Sequence, residues 1–235
     1  MLTKFRTIQI NNTYERTGIM KIFKDKKLIK SSLIFTFTLL PFALIGIYFT
    51  ISETYKALSE EYKELLINQL GSESAVIGLS MIEPIILTVV CSFFGYIISS
   101  KVGLMKPIKF EKKPSLITLI LGTVTALLLV GDLFVFAKFI PQVAESYETP
   151  ITVKTFIYTI LYGGIVEEIL LRLFFMSLLS LIIKKTFFKN NKNCTSKIFI
   201  IANIFAALLF AAGHLPATYQ LFGEITPLLL FRCLH

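Results

Sequence analysis

Residues 31–52 read SSLIFTFTLLPFALIGIYFTIS, a stretch of 22 residues without a charged side chain. A helix of this length extends about 33 Å, which is enough to cross the roughly 30 Å hydrocarbon core of a bilayer. Eight Lys or Arg residues and two acids precede it, in residues 1–30. A secretory signal peptide also begins with basic residues, but its apolar core is only about 7 to 15 residues long. We therefore interpret residues 31–52 as an uncleaved first transmembrane helix.

Further apolar blocks follow this first one, each long enough, or nearly so, to span a bilayer. They cover residues 75–100, 115–137, 155–183 and 198–213, and a partial sixth block opens near residue 225. The mean hydropathy of the whole chain is +0.73 and 54% of its residues are hydrophobic, which is more apolar than soluble domains. The pattern predicts an all-α, polytopic membrane helix bundle over residues 31–235, with at least five transmembrane helices and the start of a sixth.

The positive charge of the chain, formally +9, is concentrated between the apolar blocks. Lys and Arg number eight in residues 1–30, five in 101–114 and five in 184–197, but only two in 53–74 and two in 138–154. This alternation is typical of membrane topology and not of nucleic-acid binding, and it predicts a cytoplasmic N-terminal segment. We expect a multi-pass protein of a cell membrane, most simply the bacterial plasma membrane, with the lipid bilayer as its first partner and no nucleic acid.

Charged residues inside the fourth block are the strongest sign of function. Residues 165–172 read IVEEILLR, so Glu167, Glu168 and Arg172 lie among apolar side chains. An ionisable residue within a membrane span costs on the order of 3 kcal/mol on insertion scales, and it usually faces the protein interior or a water-filled cavity. Three charges within six positions therefore predict a buried polar site.

Helix geometry separates the roles of these three residues. Glu168 and Arg172 are four residues apart, share one face of an α-helix and can form an ion pair. Glu167 is turned by about 100° from Glu168 and has Leu170 and Leu171 one turn further on. A carboxylate in a low-dielectric site is suited to general acid or base catalysis near neutral pH. We expect Glu167 to be the base; a purely structural Glu168–Arg172 pair would leave it unexplained.

A histidine ends the fifth block, in the sequence Phe210-Ala-Ala-Gly-His214. A single histidine at a helix end is usually an interfacial residue, but the position of this one is unusual. Glu167 lies 17 residues before Lys184, and His214 lies 17 residues after Lys197. In two antiparallel α-helices joined by the basic loop, both residues would lie about 25 Å from the same membrane surface. The spacing predicts that the carboxylate and the imidazole meet.

The two motifs, Glu-Glu-x-x-x-Arg at 167–172 and Phe-x-x-x-His at 210–214, resemble the first two motifs of the CPBP intramembrane proteases. This family, also called Abi, contains prenyl-protein CAAX proteases and enzymes of bacteriocin processing or immunity. The resemblance implies that Glu167 and His214 activate a water molecule that attacks a peptide bond. It also implies that Glu168 assists, with Arg172 and Phe210 in supporting positions, and that the substrate is a peptide or a prenylated protein.

The resemblance leaves the need for a metal open. One histidine and two carboxylates are a partial ligand set for a divalent ion such as zinc, and Glu167 and His214 would then be ligands; the same groups can also hold a nucleophilic water without metal. The three cysteines have no metal-binding spacing. A further intramembrane carboxylate, Glu83, could approach the site from a neighbouring helix.

The family's third motif, a His followed four residues later by Asn or Asp, has no counterpart in this sequence. His235 follows His214 after a single loop and is the last residue, so it does not replace the missing histidine. We expect either a fragment of a longer protease or a truncated, inactive homologue, and no measurable proteolysis by these 235 residues alone. The alternatives are a non-catalytic membrane protein, such as a bacteriocin immunity factor, and a transporter with a proton relay.

Overall fold

The structure is a computed structural model that describes residues 25–105, 112–141, 143–144, 152–188 and 196–234. The predicted N-terminal segment 1–30 lies almost entirely outside these ranges, as does His235. The described residues contain no β-strand and are almost all helical. The first four helices are α1 (Lys26–Lys56), α2 (Glu60–Leu70), α3 (Glu73–Val102) and α4 (Lys112–Val135), the last followed by a short 3-10 turn, Phe136–Lys138. The predicted all-α class is confirmed.

The helical stretch 153–187, which we call α5, changes its winding along its length. It is α-helical over Val153–Leu161, π-helical over Tyr162–Glu167 and Ile169–Met176, and α-helical again over Ser177–Phe187. The remaining helices are α6 (Ser196–Phe222) and α7 (Pro227–Leu234).

Three of the described helices are long and apolar enough to cross a membrane, judged by length and composition. They are α1, α3 and the part of α6 between Ser196 and Tyr219. A shorter apolar helix, Ser115–Leu128, lies within α4. These helices identify the chain as a membrane protein, and five complete spans stay a prediction.

Short polar segments separate the first three helices and cap their ends. The Asp25 side chain caps α1 by accepting a hydrogen bond from the Leu28 backbone N–H at 3.0 Å. Ser59 and Ser72 cap α2 and α3 in the same way. Gly71 ends α2 with a φ of 89°, a left-handed conformation that glycine adopts without steric cost. The helix α2 has no buried residue.

The structure divides into two compact units, which are described separately. The first contains the described residues up to Leu104 together with Tyr158–Leu178; the second contains Met105–Ile157 and the residues from Leu179 onward. Glu167, Glu168 and Arg172 belong to the first unit. Phe210 and His214 belong to the second.

Small and hydroxyl-bearing residues hold α1 against α3 in the first unit. The Ser32 hydroxyl donates to the Phe93 carbonyl at 2.6 Å, and the hydroxyls of Ser92 and Thr36 are 3.0 Å apart. Lipid tails are as apolar as Leu side chains, so membrane helices associate through close packing and hydrogen bonds of this kind. The result is a firmly paired α1–α3 framework.

The helix α6, in the second unit, is longer than the sequence predicted. His214 was expected at the end of a span closing at residue 213, but α6 continues as a helix to Phe222 and includes Pro216. Proline is tolerated inside membrane helices because neighbouring groups and local adjustments satisfy the freed carbonyl. His214 therefore lies within a helix, where its ring orientation is fixed by the preceding turn.

Candidate functional site

The Glu-Glu-x-x-x-Arg motif lies on the π-helical part of α5. Glu167 ends the first π-helical segment and Arg172 lies within the second, with Glu168 between the two. A π-helix has i→i+5 hydrogen bonds and is rare; short π segments occur frequently at functional sites. The sequence analysis assumed a uniform α-helix, and this assumption was wrong. A π-helix holds more residues per turn, so residues five apart, such as Tyr162 and Glu167, come close to the same face.

Two glycines of the α1–α3 framework lie directly against this π-helical segment. A Cβ atom added to Gly46 would be 2.8 Å from the Tyr162 backbone N and 2.9 Å from the Leu161 carbonyl carbon. A Cβ atom added to Gly95 would be 3.2 Å from the carbonyl group of Leu173. At Gly46 the α1 backbone approaches α5 too closely for a Cβ atom without a shift, and at Gly95 the α3 backbone approaches it tightly, on the other side of the motif.

Buried apolar side chains next to the motif determine which face of α5 meets the framework. Val166 is 2% exposed and packs with Ala43 and Ile47 of α1, which are fully buried. Met81 and Ile85 of α3 pack against the same cluster. This anchoring fixes the rotation of α5 and, with it, the direction in which the next residue, Glu167, leaves the helix.

Glu83 does not take part in this arrangement. Its neighbours Met81 and Ile85 each lie two residues away, so Glu83 is turned by about 200° from both and lies on the opposite face of α3. The Glu83 side chain is exposed. The expectation that it approaches the site from a neighbouring helix is therefore wrong for the first unit.

Glu168 and Arg172 form the ion pair that their spacing predicts. Arg172 Nε lies 3.2 Å from Glu168 Oε2, and the side chains are 70% and 49% exposed, respectively. Both partners lie on one helix, so the pair does not connect two helices. It holds the Glu168 carboxylate in one orientation beside Glu167.

The Glu167 side chain is half-buried and lies along its own helix. A Cβ atom added to Gly163, one turn earlier, would be 3.5 Å from Glu167 Oε2, an ordinary contact distance. The carboxylate therefore leans back towards the preceding turn, as side chains on helices generally do. Gly163 therefore adds no side chain beside the carboxylate.

Tyr162 is the neighbour of Glu167 that sequence reasoning missed. Its ring is partly buried and packs against the cluster around Val166. Residues five apart share a face of a π-helix, so Tyr162 lies on the face of α5 that carries Glu167. The five-residue spacing would have indicated this shared face only if the π-helix had been foreseen.

His214 is held by Phe210, one turn earlier on α6. The two ring centroids are 4.2 Å apart with an edge-on angle of 64°. The Nδ1 atom of His214 lies 2.9 Å from the Phe210 carbonyl oxygen. A carbonyl oxygen can only accept a hydrogen bond, so Nδ1 carries the proton in this contact and Nε2 of the neutral ring keeps its lone pair. Phe210 thus supports the imidazole through both its ring and its backbone.

A hydroxyl group connects the turn that carries His214 to α7. Thr218 is 7% exposed, and its Oγ1 donates to the His214 carbonyl at 2.9 Å. The same oxygen lies 3.3 Å from Cys233 Sγ on α7. Sequence reasoning missed both residues, because a threonine within an apolar helix and a single cysteine carry no distinctive pattern.

Metal binding finds no further support in the described residues. Nowhere in the described ranges do three His, Cys, Asp or Glu side chains come together as a candidate ligand set. Glu167 and His214 stay the predicted ligands of any ion that the site uses.

Comparison with known protein families adds the observation that decides the resemblance. Residues 149–234 match the family described as type II CAAX prenyl endopeptidase Rce1-like. The predicted resemblance to CAAX proteases is confirmed. The match covers a little over a third of the chain and includes α5, α6 and α7, with both motifs. No curated protein and no solved structure matches the chain.

The residues that match the Rce1-like endopeptidases include Glu167, Glu168, Arg172 and His214. The α1–α3 framework falls outside the matched residues. Its two glycines nevertheless pack against α5 within the match. The chain thus combines a protease-like segment with a framework that supports it.

Proposed function

We propose that this protein is an intramembrane endopeptidase in which Glu167 and His214 activate one water molecule. The observation that carries the proposal is the Rce1-like match over residues 149–234, which contains both motifs. The equal 17-residue distances of Glu167 and His214 from the basic loop support their acting together.

The side-chain chemistry suits hydrolysis. The Glu167 carboxylate accepts a proton from the water as the oxygen attacks the peptide carbonyl carbon, and it then gives this proton to the leaving nitrogen. The His214 ring, with its Nδ1–H held by Phe210, offers Nε2 as an acceptor for the second hydrogen of the water. No step in this sequence requires an additional reactant.

The exposed Glu168–Arg172 ion pair is an argument for water next to the site. An exposed Glu168–Arg172 pair would be costly in contact with lipid tails, whereas lining a water-filled cavity removes most of that cost. Because the pair lies within one helix, it is also poorly suited to the structural role required by the non-catalytic alternative. We infer that this face of α5 borders a hydrated cavity from which the nucleophile is drawn.

The substrate class follows from the matched family. A peptide with a prenylated cysteine near its C-terminus is the first substrate to test, and a bacteriocin-type precursor peptide is the second. We place the protein in the plasma membrane with its N-terminus in the cytoplasm, because Lys and Arg dominate residues 1–30 and the alternate loops.

The proposal is tested by assaying the protein, expressed from its complete reading frame and reconstituted in liposomes, with a farnesylated peptide. We expect Glu167→Gln and His214→Ala each to abolish cleavage. Glu168→Gln should reduce it by up to about 10²-fold, since losing the Arg172 pair misplaces a group at the site. Glu83→Gln, which removes a carboxylate from the opposite face of α3, is the matched control and should retain full activity. Full cleavage by the Glu167→Gln variant would overturn the mechanism.

A further inference from the structure

A groove opens on the side of α1 in the first unit, far from the residues discussed above in sequence. Its volume is about 350 Å³, and it is lined by Ser31, Ile34, Phe35, Thr38, Leu39 and Tyr96. The Phe35 and Tyr96 rings, from α1 and α3, have centroids 5.2 Å apart. Along α1 the lining extends from Ser31 to Leu39, nine residues with a rise of about 12 Å. The lining is mostly apolar.

A lysine lies directly above one end of the groove. Lys27 precedes Ser31, Ile34 and Thr38 by four, seven and eleven residues, which places all four on one stripe of α1. The Lys27 side chain is exposed. It stands one turn beyond the lining, at the end of α1 where the helix leaves the apolar block.

Three more lysines surround this end of the groove. Ser32 bonds to the Phe93 carbonyl, so the start of α1 lies beside the end of α3. We call the lysines at these two helix ends the basic collar: Lys26, Lys27, Lys30 and Lys101. The acid at the same level, Asp25, already accepts the Leu28 N–H and acts on Lys101. The collar therefore has an excess of positive charge.

We propose that the groove binds one anionic phospholipid from the leaflet that borders the start of α1, with an acyl chain in the groove and the phosphate beside Lys27. A phospholipid has apolar acyl chains and an anionic phosphate at one end. The groove offers apolar side chains to an acyl chain, and the collar offers lysines to the phosphate. Basic pockets between membrane helices bind anionic head groups in this way. The site does not depend on the proposed proteolysis.

The basic collar also argues against a second copy of the chain as the occupant. Two copies inserted in the same orientation would bring their collars to the same depth, and like charges at close range repel. A lipid head group instead neutralises the collar. Electrostatic complementarity thus selects the lipid.

The chain contains no tryptophan, so a single introduced tryptophan can report on the groove. The Tyr96→Trp variant of the full chain is reconstituted with brominated phosphatidylglycerol or brominated phosphatidylcholine, and quenching gives the relative affinity of the two lipids at the groove. We expect a preference for phosphatidylglycerol of about fivefold, which corresponds to one lysine contact. Phe37→Trp, whose ring is 66% exposed outside the groove, is the control reporter and should show little preference.

Lysine variants distinguish lipid binding in the groove from a general attraction of anionic lipids to the protein surface. Lys27→Gln should remove most of the preference at Tyr96→Trp, whereas Lys56→Gln, at the opposite end of α1 and outside the collar, should leave it nearly unchanged. Equal quenching by both lipids at Tyr96→Trp, or equal effects of the two lysine variants, would overturn the proposal. Native mass spectrometry of the tryptophan-free chain provides a second measurement: phosphatidylglycerol should be retained in preference to phosphatidylcholine, and Lys27→Gln should abolish the difference.

Discussion

A backbone carbonyl of α6, the helix that carries His214, determines which ring nitrogen of His214 carries the proton. The Phe210 carbonyl engages Nδ1 at 2.9 Å, and the Phe210 ring packs edge-on against the imidazole. The hydrogen bond on one ring nitrogen determines which nitrogen is available for chemistry. At this site the available atom is Nε2, which is the acceptor that a shared nucleophilic water needs.

The tautomer of His214 can be measured directly. The sequence contains one other histidine, His235, so a His235→Gln variant labelled with ¹⁵N-histidine gives signals from His214 alone. At a pH where the ring is neutral, we expect the ¹⁵N shifts of the Nδ1–H tautomer, because the Phe210 carbonyl can only accept. Phe210→Ala retains the carbonyl but removes the ring contact, and should keep this tautomer with greater ring mobility. Shifts of the Nε2–H tautomer in the His235→Gln protein would contradict the assignment.

The helix α5 shows how a change of winding positions a motif. Its π-helical segments bring Tyr162 towards Glu167, and the two glycine contacts hold these segments against α1 and α3. The Glu168–Arg172 pair was predictable, because residues four apart remain neighbours despite the wider winding. The position of Tyr162 on the face that carries Glu167 was not, because the apolar pattern of residues 155–183 is compatible with either helix type. The close approach of the α1 backbone to α5 at Gly46 was also not predictable, because the sequence does not show which helix packs against this glycine.

The glycine contact at Gly46 predicts a specific loss of stability. Gly46→Ala adds only a Cβ atom, but this atom would lie 2.8 Å from the Tyr162 backbone N, so α1 and α5 must separate. We expect a decrease of about 1–3 kcal/mol in the free energy of unfolding, the usual cost of overpacking. Gly78→Ala on α3 is the matched control, because nothing lies within 4 Å of its added Cβ atom.

Denaturant unfolding of both variants in mixed micelles gives the comparison. Any gain in helix propensity from glycine to alanine is common to the two positions and cancels. We also expect Gly46→Ala to lower cleavage activity, because the displaced π-helical segment carries Glu167. Equal stability of the two variants would show that the approach at Gly46 is looser than described.

At the scale of the whole molecule, the sequence was sufficient for the fold class and for the family. Long uncharged blocks predicted the helices, since a single segment in a membrane can satisfy all its backbone hydrogen bonds by itself only as a helix. The charges within α5 and the histidine of α6 predicted the family resemblance, which the match over residues 149–234 confirms. The end of α6 was predicted wrongly, because the apolar block closes at residue 213 whereas the helix continues through Pro216 to Phe222. The groove beside α1 could not be foreseen, since it depends on side chains from two helices.

Glu167 and His214 are predicted to share one water molecule, because equal numbers of residues separate them from the basic loop. The π-helical segments shorten the rise along part of α5, so the depth of Glu167 differs from that in a uniform α-helix. A base and its partner must lie within hydrogen-bond reach, directly or through one water, which corresponds to side-chain groups within roughly 8 Å.

Cross-linking tests whether Glu167 and His214 lie this close. In a chain with its three native cysteines replaced by serine, Glu167→Cys and His214→Cys are combined and treated in the membrane with a thiol cross-linker that spans about 8 Å, the reach set by a shared water. Glu83→Cys combined with His214→Cys is the control pair, because Glu83 lies on the face of α3 turned away from α5. The account predicts efficient cross-linking of the 167–214 pair and none of the 83–214 pair. Failure of the 167–214 pair to cross-link, while both thiols remain reactive to a small monofunctional reagent, would contradict it.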